Sequence, residues 1–295
     1  MPSFYPQHGR AVLSMAILKH NPLSMHEYFT RTGSILKYSS CETPDFLKNI
    51  KHRIARQILT DLDIFGVDFN SSTDVPTGTW MGSSSAFAVG PLKLCHAYRG
   101  RYVSRAKLAE LACEMETHEL GELIGKQGQY GCALGGIHLI RFLPDETVVH
   151  EPVPLTDGQR EKLENTLALF YLGGKRSASA LLATLSRNSA FNAEVIENLK
   201  ATATQAEALC ADFCRYIDVL GAYLHEGWQR KRRFANGHFE SAHRKPICRL
   251  ARGGHHRRKP AGRGKLGPPP EPYPRRQARG RLRRTVSLPA ARGSN

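Results

Sequence analysis

Up to Phe234 the apolar residues of this chain recur with periods that a fold can use, and beyond it they do not. Ala11 to Ile17 reads as a buried strand. Ile50, Ile54, Ile58 and Leu62 fall at four-residue spacing, so residues 48–65 predict an amphipathic helix with a basic outer face. His52 and Arg53 lie on that face, either solvated or turned toward a phosphate. Ala86 to Tyr98 predicts an apolar helix, and Ser104 to Leu120 another with Ser104 as its N-cap. Ile124 to Ile137 is a Gly-rich turn and helix start that leads into a strand, Ile137 to Phe142. From Asp157 to Gly227 the pattern is helical: Glu161 to Leu172, Ala178 to Ser186, and a long stretch from Ala193 to Trp228. In the last of these Ile196, Leu199, Ala203, Ala206, Leu209, Phe213, Ile217, Leu220 and Leu224 repeat every three or four positions.

Composition narrows the classes. A chain of 295 residues can bury a real core in one large or two ordinary domains. It has no apolar run of about 18 residues and no signal-peptide pattern, which predicts a soluble, cytoplasmic protein with no membrane partner. Seven cysteines (Cys41, Cys95, Cys113, Cys132, Cys210, Cys214, Cys248) are scattered at spacings that suit neither zinc nor a disulfide framework, in keeping with a reducing compartment. Cys210 and Cys214 stand one helical turn apart, a spacing for packing on one face rather than for a metal pair. The net charge of +16 belongs to the end of the chain. From Arg230 onward there are 20 Lys/Arg against only Glu240 and Glu271, which leaves 22 basic and 24 acidic residues before it. Residues 236–295, rich in Arg, Gly, Pro, Ala and His, predict disorder by composition. A basic arm can bind nucleic acid through phosphates, but this one has no interleaved aromatics and no RNA-module motif, so a nucleic-acid partner is the weaker reading.

The candidate chemistry centres on Asp74-Val-Pro-Thr-Gly-Thr-Trp-Met-Gly-Ser-Ser-Ser-Ala-Phe-Ala-Val-Gly90. A turn at Pro76 and Gly78 precedes Gly82-Ser83-Ser84-Ser85 and an apolar helix start. Small residues at a helix N-terminus leave unpaired N–H groups backed by the positive end of the helix dipole, which makes a cradle for phosphate. A Ser-capped helix after a loop is the plainer alternative. The pattern Pro-x-Gly-x-x-x-Gly-Ser-Ser-Ser resembles the phosphate loop of the GHMP kinases. The wider run from Asp74 to Gly136, through Leu120-Gly-Glu-Leu-Ile-Gly-Lys-Gln-Gly-Gln-Tyr130, is similar to the D-glycero-D-manno-heptose 7-phosphate kinases of that superfamily. The likeness covers most of residues 1 to about 235.

That resemblance implies an α+β, two-domain GHMP kinase-like fold, here incomplete: residues 1–155 as the ATP-binding N-terminal domain, 156–235 as the helical part of the C-terminal domain, and 236–295 as a basic tail. It implies ATP and Mg2+ as cofactors and a sugar phosphate as substrate. The reaction would pass the γ-phosphate to the anomeric hydroxyl of D-glycero-D-manno-heptose 7-phosphate, on the route to nucleotide-activated heptose for lipopolysaccharide and other surface polysaccharide. Gly78, Gly82, Ser83, Ser84 and Ser85 would cradle the ATP phosphates. Glu116, in the acidic group Glu114, Glu116, Glu119 and Glu122, would hold Mg2+ together with Ser84. Lys126 and Gln127 match a site motif, and Lys175 and Arg176 are candidate phosphate or nucleotide contacts, or a plain surface pair.

Four departures qualify the likeness. Trp80 stands where the family usually has Gly, and the first strand with its Gly-Gly-Thr-Asp sugar loop is absent. Gly128 occupies the position of the catalytic Asp, so the chain is expected to be an impaired kinase or a dead remnant of one. The tail is expected to be an out-of-frame translation. Read from the second base of each codon, His255 to Gly267 permits Ile-Ile-Gly-Gly-Asn-Leu-Leu-Gly-Ala-Gly-Asn-Leu-Gly, close to the family's last Gly-rich motif. Sequencing the coding DNA tests this directly.

Overall fold

A computed structural model describes residues 9–30, 32–75, 81–122, 124–168, 193–211 and 220–234. Of the segments expected from sequence, the helix at 178–186 and the tail at 236–295 lie outside these residues. All the elements fall within one compact unit, Met1–Ala251.

Two sheets carry the fold. Strands β1 (Arg10–Met15), β6 (Ile137–Phe142) and β7 (Val148–Pro152) form an antiparallel sheet in the order β1-β6-β7, with Val12 opposite Ile140 and Ile140 opposite His150. Strands β2 (Leu23–Glu27), β3 (Ile35–Lys37), β4 (Cys41–Glu42) and β5 (Val67–Ser71) form a mixed sheet in the order β2-β5-β3-β4. β3 and β5 run parallel, so the chain must cross over between them, and helix α1 (Arg53–Asp61) makes that crossover. Helices α2 (Ser83–Tyr98), α3 (Arg105–Glu114) and α4 (Gln127–Leu134) follow, then α5 (Asp157–Thr166), α6 (Ala193–Ala211) and α7 (Leu220–Phe234).

The main core joins the mixed sheet to α1, α2 and α3 through Leu36, Ile50, Ile58, Val67, Phe69, Ala88, Leu92, Leu108 and Met115. A second cluster joins β1 and β6 to α3 and α4 through Val12, Ile140, Phe142, Ala109, Tyr130 and Leu134. α3 therefore packs against both clusters, through Leu108 and Ala112 on one side and Ala109 and Cys113 on the other, while Arg105, Lys107, Glu110 and Glu114 keep a charged face exposed. A third cluster, Val153, Leu163, Leu209 and Leu220, ties α5, α6 and α7 together.

Several boundaries differ from the periodicity. The first strand stops at Met15, and Ile17 is exposed. The helix expected over 48–65 begins only at Arg53, because the Glu42 carboxylate takes the N–H groups of Lys51 (2.8 Å) and His52 (3.4 Å). Ile50 is fully buried, but from a short 3-10 turn rather than from the helix. Helix α3 has the Ser104 cap foreseen, its Oγ accepting from Lys107 N, but after Glu114 it continues as a π turn over Met115–Glu119. Helix α5 starts four residues earlier than its apolar pattern, fixed by a capping box between Thr156 and Gln159. Residues 212–219, inside the long predicted helix, lie outside the described residues.

Candidate active site

The Ser-rich helix start is built as the sequence suggested. Gly82 adopts φ +81°, a left-handed conformation that suits glycine, and turns the chain into α2. Its carbonyl accepts the first helical hydrogen bond from Ala86 N at 2.8 Å. The N-cap is a glycine with no side chain to offer, so among the described residues the N–H groups of the first turn are left for a ligand. Ser84 is exposed; Ser83 and Ser85 are half-buried. Gly78 and Trp80, in the loop before, lie outside the described residues, as do Lys175 and Arg176.

Helix α4 lies against this end of α2. A Cβ placed on Gly128 would come within 2.2 Å of Ser85 Oγ and 3.1 Å of Ser85 Cβ. One turn on, Cys132 Sγ donates to Gly82 O at 3.5 Å. On another side of α4, a Cβ on Gly131 would come within 2.6 Å of Ser14 Oγ on β1. Small residues at 128 and 131 thus allow α4 to approach two neighbours closely. The position of the expected carboxylate and the Ser-rich cradle, 43 residues apart in sequence, are in direct contact.

Glu116 sits on the π turn at 3% exposure, unlike Glu114 and Glu119, which are exposed. π turns inside helices are frequent at functional sites because they re-aim one side chain. Gln129 Nε2 donates to Glu116 Oε2 at 2.5 Å, and Gln129 is itself buried. Burial pushes the Glu116 carboxyl up to about 7, against the Gln129 hydrogen bond and helped by the Glu122 charge. Among the described residues no ion pair reaches it. Gln129 and Gly128 are adjacent on α4, so one helix joins the buried carboxylate to the cradle. Among the described residues no cluster of three or more His, Cys, Asp or Glu could hold a metal alone. One buried, uncompensated carboxylate suits Mg2+, which is commonly held by one or two carboxylates and completed by phosphate oxygens and water.

The remaining candidates are placed differently. Lys126 Nζ lies 3.0 Å from Glu146 Oε2, on the turn between β6 and β7, where Glu146 has φ +66°. Arg53 binds Glu122 at 2.6 Å and the Leu120 carbonyl at 2.5 Å, bracing the segment after the π turn. His52 is no solvated-face residue: its Nδ1 accepts from Ala55 N at the start of α1, and its ring stacks at a tilt on Phe87, centroids 4.4 Å apart. Burial lowers its pKa below the ordinary histidine value. Gln129 was visible in the sequence only as part of a motif; its hydrogen bond to Glu116 depends on the π turn, which no periodicity announces.

Comparison with known proteins bears on the fold and on the stretch that carries these residues. Residues 46–136 match the family model described as the GHMP kinases N terminal domain. A D-glycero-alpha-D-manno-heptose 7-phosphate kinase from Campylobacter jejuni is 28% identical over 153 residues, covering 50% of this chain and 44% of that protein. The chain thus aligns with less than half the length of this curated relative. Its fold is similar to the crystal structure of a D-glycero-D-manno-heptose 1-phosphate kinase from Bacteriodes thetaiotaomicron, with a TM-score of 0.61, 19% identity, and coverage of 76% of this chain and 71% of the other. It is also similar to L. major mevalonate kinase, with a TM-score of 0.53, 10% identity, and coverage of 79% and 72%. The α+β architecture resembles that of these kinases, and the stretch 46–136, with its Ser-rich helix start, Glu116 and Gly128, matches the GHMP kinase N-terminal domain.

Proposed function

We propose that this chain is an ATP-dependent sugar kinase of GHMP type, acting on a heptose phosphate at the anomeric hydroxyl, with phosphoryl transfer slowed by the glycine at 128. The observation that carries the reading is the contact of α4 with α2, which brings Gly128 to Ser85 while its neighbour Gln129 holds Glu116. The 7-phosphate in the name of the C. jejuni relative supports the choice of substrate.

In this reading the open N–H groups and hydroxyls of Ser83, Ser84 and Ser85, with Gly82 and Gly78, bind the ATP phosphates, backed by the α2 dipole. Glu116 and Ser84 hold Mg2+, which supplies positive charge to the phosphates. Burial of Glu116 makes that pairing strong, because an uncompensated carboxylate in a low-dielectric site gains most from a cation. Lys126, Lys175 and Arg176 remain candidate anion contacts; Lys126 would exchange Glu146 for a phosphate group. Position 128 is where a carboxylate would take the proton of the sugar hydroxyl, and glycine has none to offer. Phosphoryl transfer rests mainly on positioning and charge stabilisation, so activity is reduced rather than abolished. No helix among the described residues is long and apolar enough to cross a membrane.

The test is ATP turnover with Mg2+ and D-glycero-D-manno-heptose 7-phosphate, with the 1-phosphate as control, run for the natural chain and Gly128→Asp. Slow turnover by the natural chain is expected, rising about 10²-fold in Gly128→Asp. An active natural chain that the Asp variant does not improve would show that no base is needed at 128. No turnover and no ATP binding in either would favour the second reading, a remnant that has lost the reaction. The observation on that side is the tight Gly128–Ser85 contact, which leaves no room for a side chain at 128 unless Ser85 Oγ rotates away or α4 shifts.

A further inference from the structure

Gln129 is 1% exposed, and its two polar atoms are treated unequally. Nε2 donates to Glu116, whereas Oε1 is buried with no hydrogen-bond partner among the described residues. An unpaired buried amide oxygen is destabilising, and proteins rarely leave one without a use for it. The side chain is also held where it is. On one side Gly128 abuts Ser85, and on the other Tyr130 is buried edge-on against Phe142, ring centroids 6.1 Å apart. The amide presents its N–H to the Glu116 carboxyl, and so its carbonyl oxygen is turned away from that contact.

We infer that Gln129 is a positioning residue for a cation site built on Glu116: its N–H fixes one carboxylate oxygen, and its carbonyl oxygen is a neutral acceptor kept for a hydrated divalent cation. The inference rests on the reading of Glu116 as the metal-holding carboxylate. An amide with a purely structural role would satisfy both ends inside the protein. This one satisfies only the end that touches the carboxylate. Groups that orient a ligand in this way typically change metal affinity by 10–100-fold when removed.

The experiment titrates Mn2+ as a spin probe into the full chain with a non-hydrolysable ATP analogue, followed by electron paramagnetic resonance. Gln129→Met keeps the length of the side chain and removes both polar atoms. Mn2+ affinity is expected to fall at least about tenfold, while affinity for the metal-free analogue stays unchanged. A residue that merely fills space would alter thermal stability without producing that split. Mn2+ affinity equal to the natural chain's would overturn the inference. If Gln129→Met does not fold, Gln129→Asn, with the amide withdrawn by one methylene, carries the same expectation and the same refutation. Glu116→Gln separates the two levels. Loss of Mn2+ affinity there but not at Gln129 overturns the positioning role alone; no loss in Glu116→Gln overturns both it and the metal role of Glu116.

Discussion

At the scale of single residues, Glu116 and Gly128 carry the most physical consequence. The Glu116 carboxyl titrates near 7 in the folded chain instead of its ordinary 4.5, with burial as the main cause. Between those two values the folded state holds a proton that the unfolded chain has released. The stability this group contributes is therefore fully present below pH about 4.5 and is lost as pH rises through 7. Glu116→Gln keeps an acceptor for Gln129 and has no charge to bury. Its stability relative to the natural chain should rise by up to about 3 kcal/mol between pH 4.5 and 7.5, read by urea denaturation at both values. A difference that is flat with pH would mean the carboxylate is solvated. Gly128→Ala should cost about 1–3 kcal/mol, because its Cβ must displace Ser85. Gly158→Ala, in α5 with open space around it, is the control and should be neutral or gain up to about 1 kcal/mol. Sequence reading reached these positions unevenly. The missing carboxylate at 128 was legible as a broken motif. That Glu116 is buried while Glu114 and Glu119 are exposed was not, since all three stand in one acidic run and only the π turn sorts them.

At the scale of elements, legibility followed length and capping. Helix α2 is long and apolar, and for the shorter α3 Ser104 marks a start that the structure keeps. The two-residue strand β4 and the three-residue strand β3 leave no period to detect, yet β4 carries Glu42, whose carboxylate decides where α1 begins. Such long-range capture of backbone N–H groups is invisible to any local pattern. The Ser104 cap matters beyond α3, because the same helix runs into the π turn that presents Glu116. Ser104→Ala should cost about 1 kcal/mol and Ser104→Gly only a few tenths, measured by chemical denaturation. Equal losses in the two variants would mean that the serine acts through packing and not as a cap.

At the scale of the whole molecule, charge is divided along the sequence. The residues before Arg230 hold 22 basic and 24 acidic side chains, while those from Arg230 onward hold 20 basic and two acidic ones. The described residues from which the candidate site is built all precede residue 150, on the nearly neutral side of that boundary. A phosphate-binding site made of backbone N–H groups, hydroxyls and a metal-holding carboxylate needs none of the distant positive charge. Nucleotide binding and polyanion binding should therefore separate. Removing residues 236–295 is expected to leave affinity for an ATP analogue with Mg2+ within about twofold of the full chain. The same deletion should abolish retention on heparin or duplex DNA, which the full chain should show with a steep dependence on salt. Both can be measured on one preparation, by calorimetry and by elution in a salt gradient. If the deletion instead removed nucleotide binding, basic residues of the tail would have to reach the phosphates, and the Ser-rich helix start could not be the principal anion site. Binding to DNA that survived the deletion would point to a basic surface on the body, where the near balance of charges leaves little excess to form one.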